Sequence, residues 1–331
     1  MKRLIFAIGT AMVLAAACNG EAGGLAPEDP GLRHVSLSLG GSGVQTRALG
    51  VTDAQESAVT ECTLYVFSRE GRLVNSYVSG SGLFDFYLTD ETYDFYAVVN
   101  KRQLPSSPSR DELRALATTL EENAPGRFVM VGSLANHVIQ NDEKITVGVQ
   151  RIVSKVSYKI RTSFTGSLAS KGFSIDEIYL TNVAGVNNLS LTGAPDGSGT
   201  WHNKMNRTSE SGGGLDDLLY GTLSQSMSAV DSIWTGHSFY LYPNSSADSH
   251  DKSGWSPRCT RFVVKATLDG RTTYYPVTIP MAGNNKHYHI DLTIGNFGVD
   301  HPEDLPEKAE YLDVVVLVSE WEDGGTLYGE Y

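Results

Sequence analysis

Cysteine is nearly absent: three residues in 331 cannot build a disulfide framework. Cys62 and Cys259 lie some two hundred residues apart in the chain, and only an oxidising compartment would let them pair. Cations are also scarce, with 26 Lys and Arg against 38 Asp and Glu, a net charge of −12 and a pI near 5.1. That balance argues against nucleic acid or an anionic membrane face as a partner. Beyond the N-terminus, no segment approaches the roughly 20 apolar residues of a spanning helix. Catalytic signatures are missing too. There is no Gly-x-Ser-x-Gly elbow, His-Glu-x-x-His pair, phosphate loop or dinucleotide fingerprint, so neither an enzyme nor a cofactor is expected.

What is present begins with two processing signals. Lys2 and Arg3 precede the apolar run Leu4 to Ala16, which has signal-peptide length. Ala15, Ala16 and Ala17 then lead into Cys18. A small-residue run ending at cysteine is a lipobox-type pattern, in which the thiol takes a diacylglycerol and becomes the new N-terminus. The leucine usual three places earlier is Ala15 here, with Leu14 one place early; an ordinary signal peptide with an incidental Cys18 is the alternative. The second signal is Thr46-Arg47-Ala48-Leu49, approached through Gly40-Gly41-Ser42-Gly43. A glycine-rich approach to a lone arginine is open to a trypsin-like protease cutting between Arg47 and Ala48. The expected organisation is a signal peptide (1–17) and a lipidated propeptide carrying the first strand (18–47). Two domains (48–150 and 151–310) and a terminal strand (311–331) follow. Loss of residues 1–47 leaves 284, enough for two domains of ordinary size.

Strand patterning dominates, and 34 glycines and 16 tyrosines suit a Gly-punctuated all-β chain. His34 to Leu39 alternates, with Val35, Leu37 and Leu39 on one face. Cys62–Phe67 and Leu73–Val78 flank a glycine turn and read as a hairpin, and Tyr93–Val99 is rich in aromatic and β-branched residues. Further strands are predicted at 127–131, 144–149, 151–160, 174–183, 238–242, 261–268, 272–279 and 288–294. Ser109 and Glu112 have capping-box spacing, and Leu113, Leu116, Ala117 and Leu120 recur at helical period, so one helix is expected there. Residues 193–232 read as long loops, and 296–310 as an extended linker. In the terminal strand, Leu312, Val314, Val316 and Val318 share one face while Val315 and Leu317 populate the other. A strand apolar on both faces either folds back or inserts into something else.

Smaller constellations have bland readings. His287 and His289 share a strand face but lack a third metal ligand, and read as exposed strand histidines. Glu320, Glu322 and Asp323 flank Trp321 as an acid pair would, yet suit a solvated edge. Asp231-Ser232-Ile233 has the form of a bacterial O-glycosylation motif, which short sequences match by chance. Trp201, Trp234 and Trp255 could form a glycan-stacking platform, although they are scattered through predicted loops.

In order and spacing, several segments resemble the fimbrillin family of Bacteroidetes type V pilus subunits: the Cys18 start, the Arg47-Ala48 site, "LYVFSREGRLV" from Leu64, "YDFYAVVN" ending at Asn100, "RIVSKVSYKI" from Arg151, "FYLYPN" from Phe239, "NNKHYHIDLTIGNFG" from Asn284, and "VSEW" ending at Trp321. The resemblance implies two transthyretin-like or Greek-key β-sandwiches in tandem with one short helix, exported as a lipoprotein to the outer membrane and the fimbrium. It implies that an arginine-specific protease removes the first strand (Val35, Leu37, Leu39) and that other pilus subunits are the partners. Under that reading Leu312, Val314, Val316 and Val318 form a donor strand for a neighbour's groove. The alternatives are a pilus anchor that retains its lipid and a surface lipoprotein that binds glycan or a host ligand.

Overall fold

The structure is a computed structural model that describes residues 31–40, 55–190, 200–205, 219–227, 230–236, 238–247, 255–280, 283–304 and 312–321. Cys18, Arg47, Ala48, Glu322 and Asp323 therefore lie outside the described residues.

The first half of the chain supplies β1 (Leu32–Gly40), β2 (Cys62–Ser68), β3 (Leu73–Ser79), β4 (Leu83–Thr89), β5 (Thr92–Val99), β6 (Ala117–Thr119), β7 (Met130–Val138) and β8 (Glu143–Arg151). All but β6 form one sheet in the order β3-β2-β5-β7-β8-β1-β4. β8 changes partner along its length, pairing with β1 over 143–148 and with β7 over 149–151. The switch folds the sheet over on itself, so that two aligned layers enclose an apolar core. Leu64, Val66, Phe95, Ala97 and Val99 meet Val35, Leu37, Leu39, Phe84, Phe86, Leu88, Ile145 and Val147 there. β4 is a strand that the sequence reading does not anticipate. Its Phe84, Phe86 and Leu88 point inward, but Leu83 and Tyr87 on the outer face blur the alternation.

The second half supplies β9 (Ser154–Ser163), β10 (Phe173–Thr181), β11 (Val183–Ala184), β12 (Val186–Asn188), β13 (Trp201–His202), β14 (Tyr220–Met227), β15 (Val230–Thr235), β16 (Phe239–Leu241), β17 (Arg261–Leu268), β18 (Arg271–Thr278), β19 (Lys286–Ile294) and β20 (Leu312–Glu320). Sheet β14-β10-β17-β18 faces sheet β15-β9-β19-β20, and β16 also pairs with β9. Asp269 and Gly270, the two-residue loop between β17 and β18, both have positive φ (51° and 79°), as a tight hairpin turn requires.

The two sandwiches share a continuous core. Tyr65, Phe67, Phe128 and Val131 of the first half cluster with Val156, Leu241, Tyr288 and Trp321 of the second. Main-chain pairing crosses the junction as well, between β6 and β12. Tyr242 donates its hydroxyl hydrogen to the Thr119 carbonyl at 2.8 Å, and the Asn123 side-chain amide donates to the Tyr242 oxygen at 2.9 Å.

Three expectations need correction. The helix α1 (Arg110–Ala115) has the capping box at Ser109 and Glu112, but it stops at Leu116. Ala117, Thr118 and Thr119 leave it to pair with β12, and the pairing outweighs the helical spacing of Ala117 and Leu120. Part of the predicted 193–232 loop region is strand: β13 pairs with β11, and β14 and β15 each form one edge of the two second-half sheets. The predicted linker is anchored in its first part. Val299 bridges to Tyr274, and Glu303 is buried beside Arg258, accepting hydrogen bonds from Thr181 and Asn182.

Candidate strand-exchange site

β1 sits in the middle of its half of the sandwich, antiparallel to β4 and parallel to β8. Val35, Leu37 and Leu39 are 0%, 2% and 6% exposed, at the two-residue spacing of a single strand face. Val35 lies opposite Phe86, and Leu37 lies between Phe84 and Ile145. The outer face is polar. Ser36 donates to Asp85 at 2.7 Å there, while Arg33, at the start of the strand and on the face of Val35, makes a two-point contact with Asp90 at 2.6 and 2.7 Å.

Burying three such side chains stabilises the strand by about 1.5–3 kcal/mol each, before its hydrogen bonds are counted. Without β1, the molecule would present a slot with apolar pockets two residues apart and unpaired main-chain groups on β4 and β8. That geometry accepts another strand.

Of the two courses open to it, folding back or inserting elsewhere, the terminal strand takes the first in this structure. β20 folds back, pairing antiparallel with β19 over nine residue positions from Ile294–Leu312 to Lys286–Glu320. Val314, Val316 and Val318 turn toward the core and are half-buried, while Val315 on the other face is 42% exposed. The difference from β1 is positional: β20 is an edge strand with one partner, whereas β1 has two.

Trp321, the residue after β20, is buried between the sandwiches. There Glu56 accepts hydrogen bonds from Lys155 (2.6 Å), Tyr240 (2.8 Å) and the Trp321 indole (3.1 Å). Burial pushes the Glu56 carboxyl up, but these hydrogen bonds and the Lys155 charge outweigh it, and its pKa is lowered. Glu56 and Arg151, both buried, were not singled out from sequence. The one available signal was a charge opening the alternating run from Arg151.

The remaining candidates resolve individually. His287 and His289 are half-buried rather than exposed, 2.7 and 2.8 Å from the Ser157 hydroxyl. Burial, then the Lys155 charge and His289, hold His287 down at about 4. Among the described residues, no group of three or more His, Cys, Asp and Glu is placed to hold a metal ion. Trp201 packs on Trp255 at 5.6 Å and Trp234 stacks on Tyr158 at 5.3 Å, so these side chains do not form one platform. Cys62 and Cys259 are both buried and are not joined in a disulfide, and the Cys62 thiol donates to the Ser79 carbonyl. Ser232 is half-buried on β15, with its amide donating to Thr162. Glu320 pairs with Lys286 across the β19–β20 ladder.

No family model matches the chain, and no curated protein matches its sequence. Solved structures do match in fold. A fimbrilin (FimA) from Porphyromonas gingivalis W83 has a TM-score of 0.65 at 17% identity, covering 89% of this chain and 99% of that one. A candidate cell adhesion protein from Bacteroides eggerthii has a TM-score of 0.62 at 16% identity, covering 88% and 96%. The tip fimbrial protein Mfa3 of Porphyromonas gingivalis, with a C-terminal truncation, has a TM-score of 0.54 at 13% identity, covering 88% and 100%. At these identities the likeness is one of fold, and this chain has the tandem-sandwich fold that fimbrilin and Mfa3 share.

Proposed function

We propose that this protein is a structural subunit of a cell-surface pilus that serves adhesion, polymerising by strand replacement. Cys18 carries a lipid that brings the precursor to the outer membrane. An arginine-specific protease cuts between Arg47 and Ala48 and separates β1 covalently from the rest of the chain. β20 of a neighbouring subunit then enters the slot between β4 and β8, with Val314, Val316 and Val318 taking the places of Val35, Leu37 and Leu39.

The observation that carries this reading is the asymmetry of the two strands. In its own subunit β20 has one partner strand and half-buried valines. In a vacated β1 slot it would have two partner strands, and its valines would occupy fully buried positions. The gain in buried apolar surface and main-chain pairing favours transfer. Ordering a free strand opposes it by ~1–2 kcal/mol per residue, but β20 starts from a strand that is already ordered.

A second reading also finds support. A subunit that caps the pilus base would keep β1, and the burial of Val35, Leu37 and Leu39 suits it. N-terminal sequencing of the protein taken from intact cell surfaces separates the two. A start at Ala48 is expected for a polymerising subunit; a start at Cys18 would replace that reading with the anchor.

A further inference from the structure

The residue that follows the terminal strand is held more firmly than the strand's own side chains. Trp321 is 3% exposed, whereas Val314, Val316 and Val318 on β20 are only half-buried. Its indole stacks on Tyr240 (5.6 Å) and meets the edge of Phe128 (5.4 Å), and the Arg151 guanidinium lies 4.2 Å from the ring centroid. Its main chain is held at both ends. The amide donates to the Asn285 carbonyl at 2.8 Å, and the carbonyl accepts from Arg151 at 3.2 Å. Its indole N–H donates to Glu56, which stands on the segment leading into β2 and not on the sheet that carries β20.

Glu56 is itself held by more than the strand, through an Arg151 that also contacts Trp321. Its carbonyl accepts from Arg151 at 2.8 Å, and Gly126 donates to the preceding carbonyl of Gln55. So the end of an edge strand is tied across the junction to a fixed carboxylate in the other sandwich.

We propose that Trp321 is the latch that holds β20 on its own subunit, and that Glu56 is the positioning residue that keeps the latch closed. The strand cannot leave β19 while the indole stays in its socket. The valine ladder alone would let β20 open from the edge, so the Trp321–Glu56 contact sets how readily the strand is released. This inference rests on the donor-strand reading for its purpose, but not for its test.

The test is hydrogen exchange on the uncleaved, full-length protein as a monomer. In Glu56→Gln, which keeps the shape but removes the charge, those amides of 314–318 that donate to β19 are expected to exchange roughly tenfold faster. That ratio corresponds to about 1.4 kcal/mol. Amides of β10 and β17 should be unchanged. Trp321→Phe should open the same amides, because it fills much of the socket without an indole N–H. Equal acceleration throughout both sandwiches, or none at β20, would overturn the latch. Polymerisation is read separately: selective opening of β20 in a protein that still cannot polymerise after cleavage would uphold the latch and remove the donor-strand reading.

Discussion

At the residue scale, the clearest consequences concern Leu37 and His287. Leu37 is a core residue only while β1 is present. Leu37→Ala is expected to destabilise the uncleaved protein by about 2–5 kcal/mol, the range for truncating a buried leucine. After cleavage and loss of β1 the same substitution should have no effect. Denaturant unfolding of both forms checks this, and an equal loss in each would mean that β1 stays in place after cleavage. For His287, the unfolded chain takes up a proton near 6.5, whereas the folded chain resists until about 4. Between those values the unfolded state binds more protons, so stability falls as pH falls; above about 6.5 the residue contributes nothing. Glu56, whose folded pKa is lowered, acts in the same direction further into acid: its stabilisation is present above the ordinary carboxylate value and is lost below it. Melting temperature should therefore decline from pH 6.5 toward 4, and His287→Gln should flatten that decline by a few degrees. An unchanged pH profile in the variant would remove the histidine explanation.

At the scale of the element, β20 changes what a substitution in it should do. Were the strand free, Val316→Asp would block assembly and leave the monomer untouched. Because Val316 packs against the core beside β19, a carboxylate there must be partly desolvated or protonated. The expected outcome is a monomer whose melting temperature drops by several degrees and a cleaved subunit that no longer polymerises. Scanning calorimetry and polymer gels on the one variant read both; a destabilised monomer that still assembles would end the donor role for β20. The element scale also shows why α1 is short. Its capping box is local and legible, but its C-terminal limit depends on β12, which lies far along the chain.

At the scale of the whole molecule, the prediction concerns order of events. Arg47→Ala should leave a longer chain that reaches the membrane, retains β1 and does not enter polymers. Cys18→Ala should lose fatty-acid labelling while the sandwiches fold unchanged. Mass spectrometry of membrane and sheared-surface fractions checks both. Entry of the Arg47→Ala chain into polymers would refute the requirement for cleavage.

The sequence by itself determined the all-β class, most strand positions, the glycine-turn hairpin of β2 and β3 and the burial of Val35, Leu37 and Leu39. These follow from two-residue periodicity and turn chemistry, which are properties of neighbouring residues. Tertiary structure alone decided that β1 is a central strand between β4 and β8, and that β20 folds back on β19. It alone brought Glu56, Arg151 and Trp321 together at the junction. Alternation reports that one strand face is buried but not which strand will cover it. A buried carboxylate looks like any surface acid until the donors that satisfy it arrive from residues 155, 240 and 321.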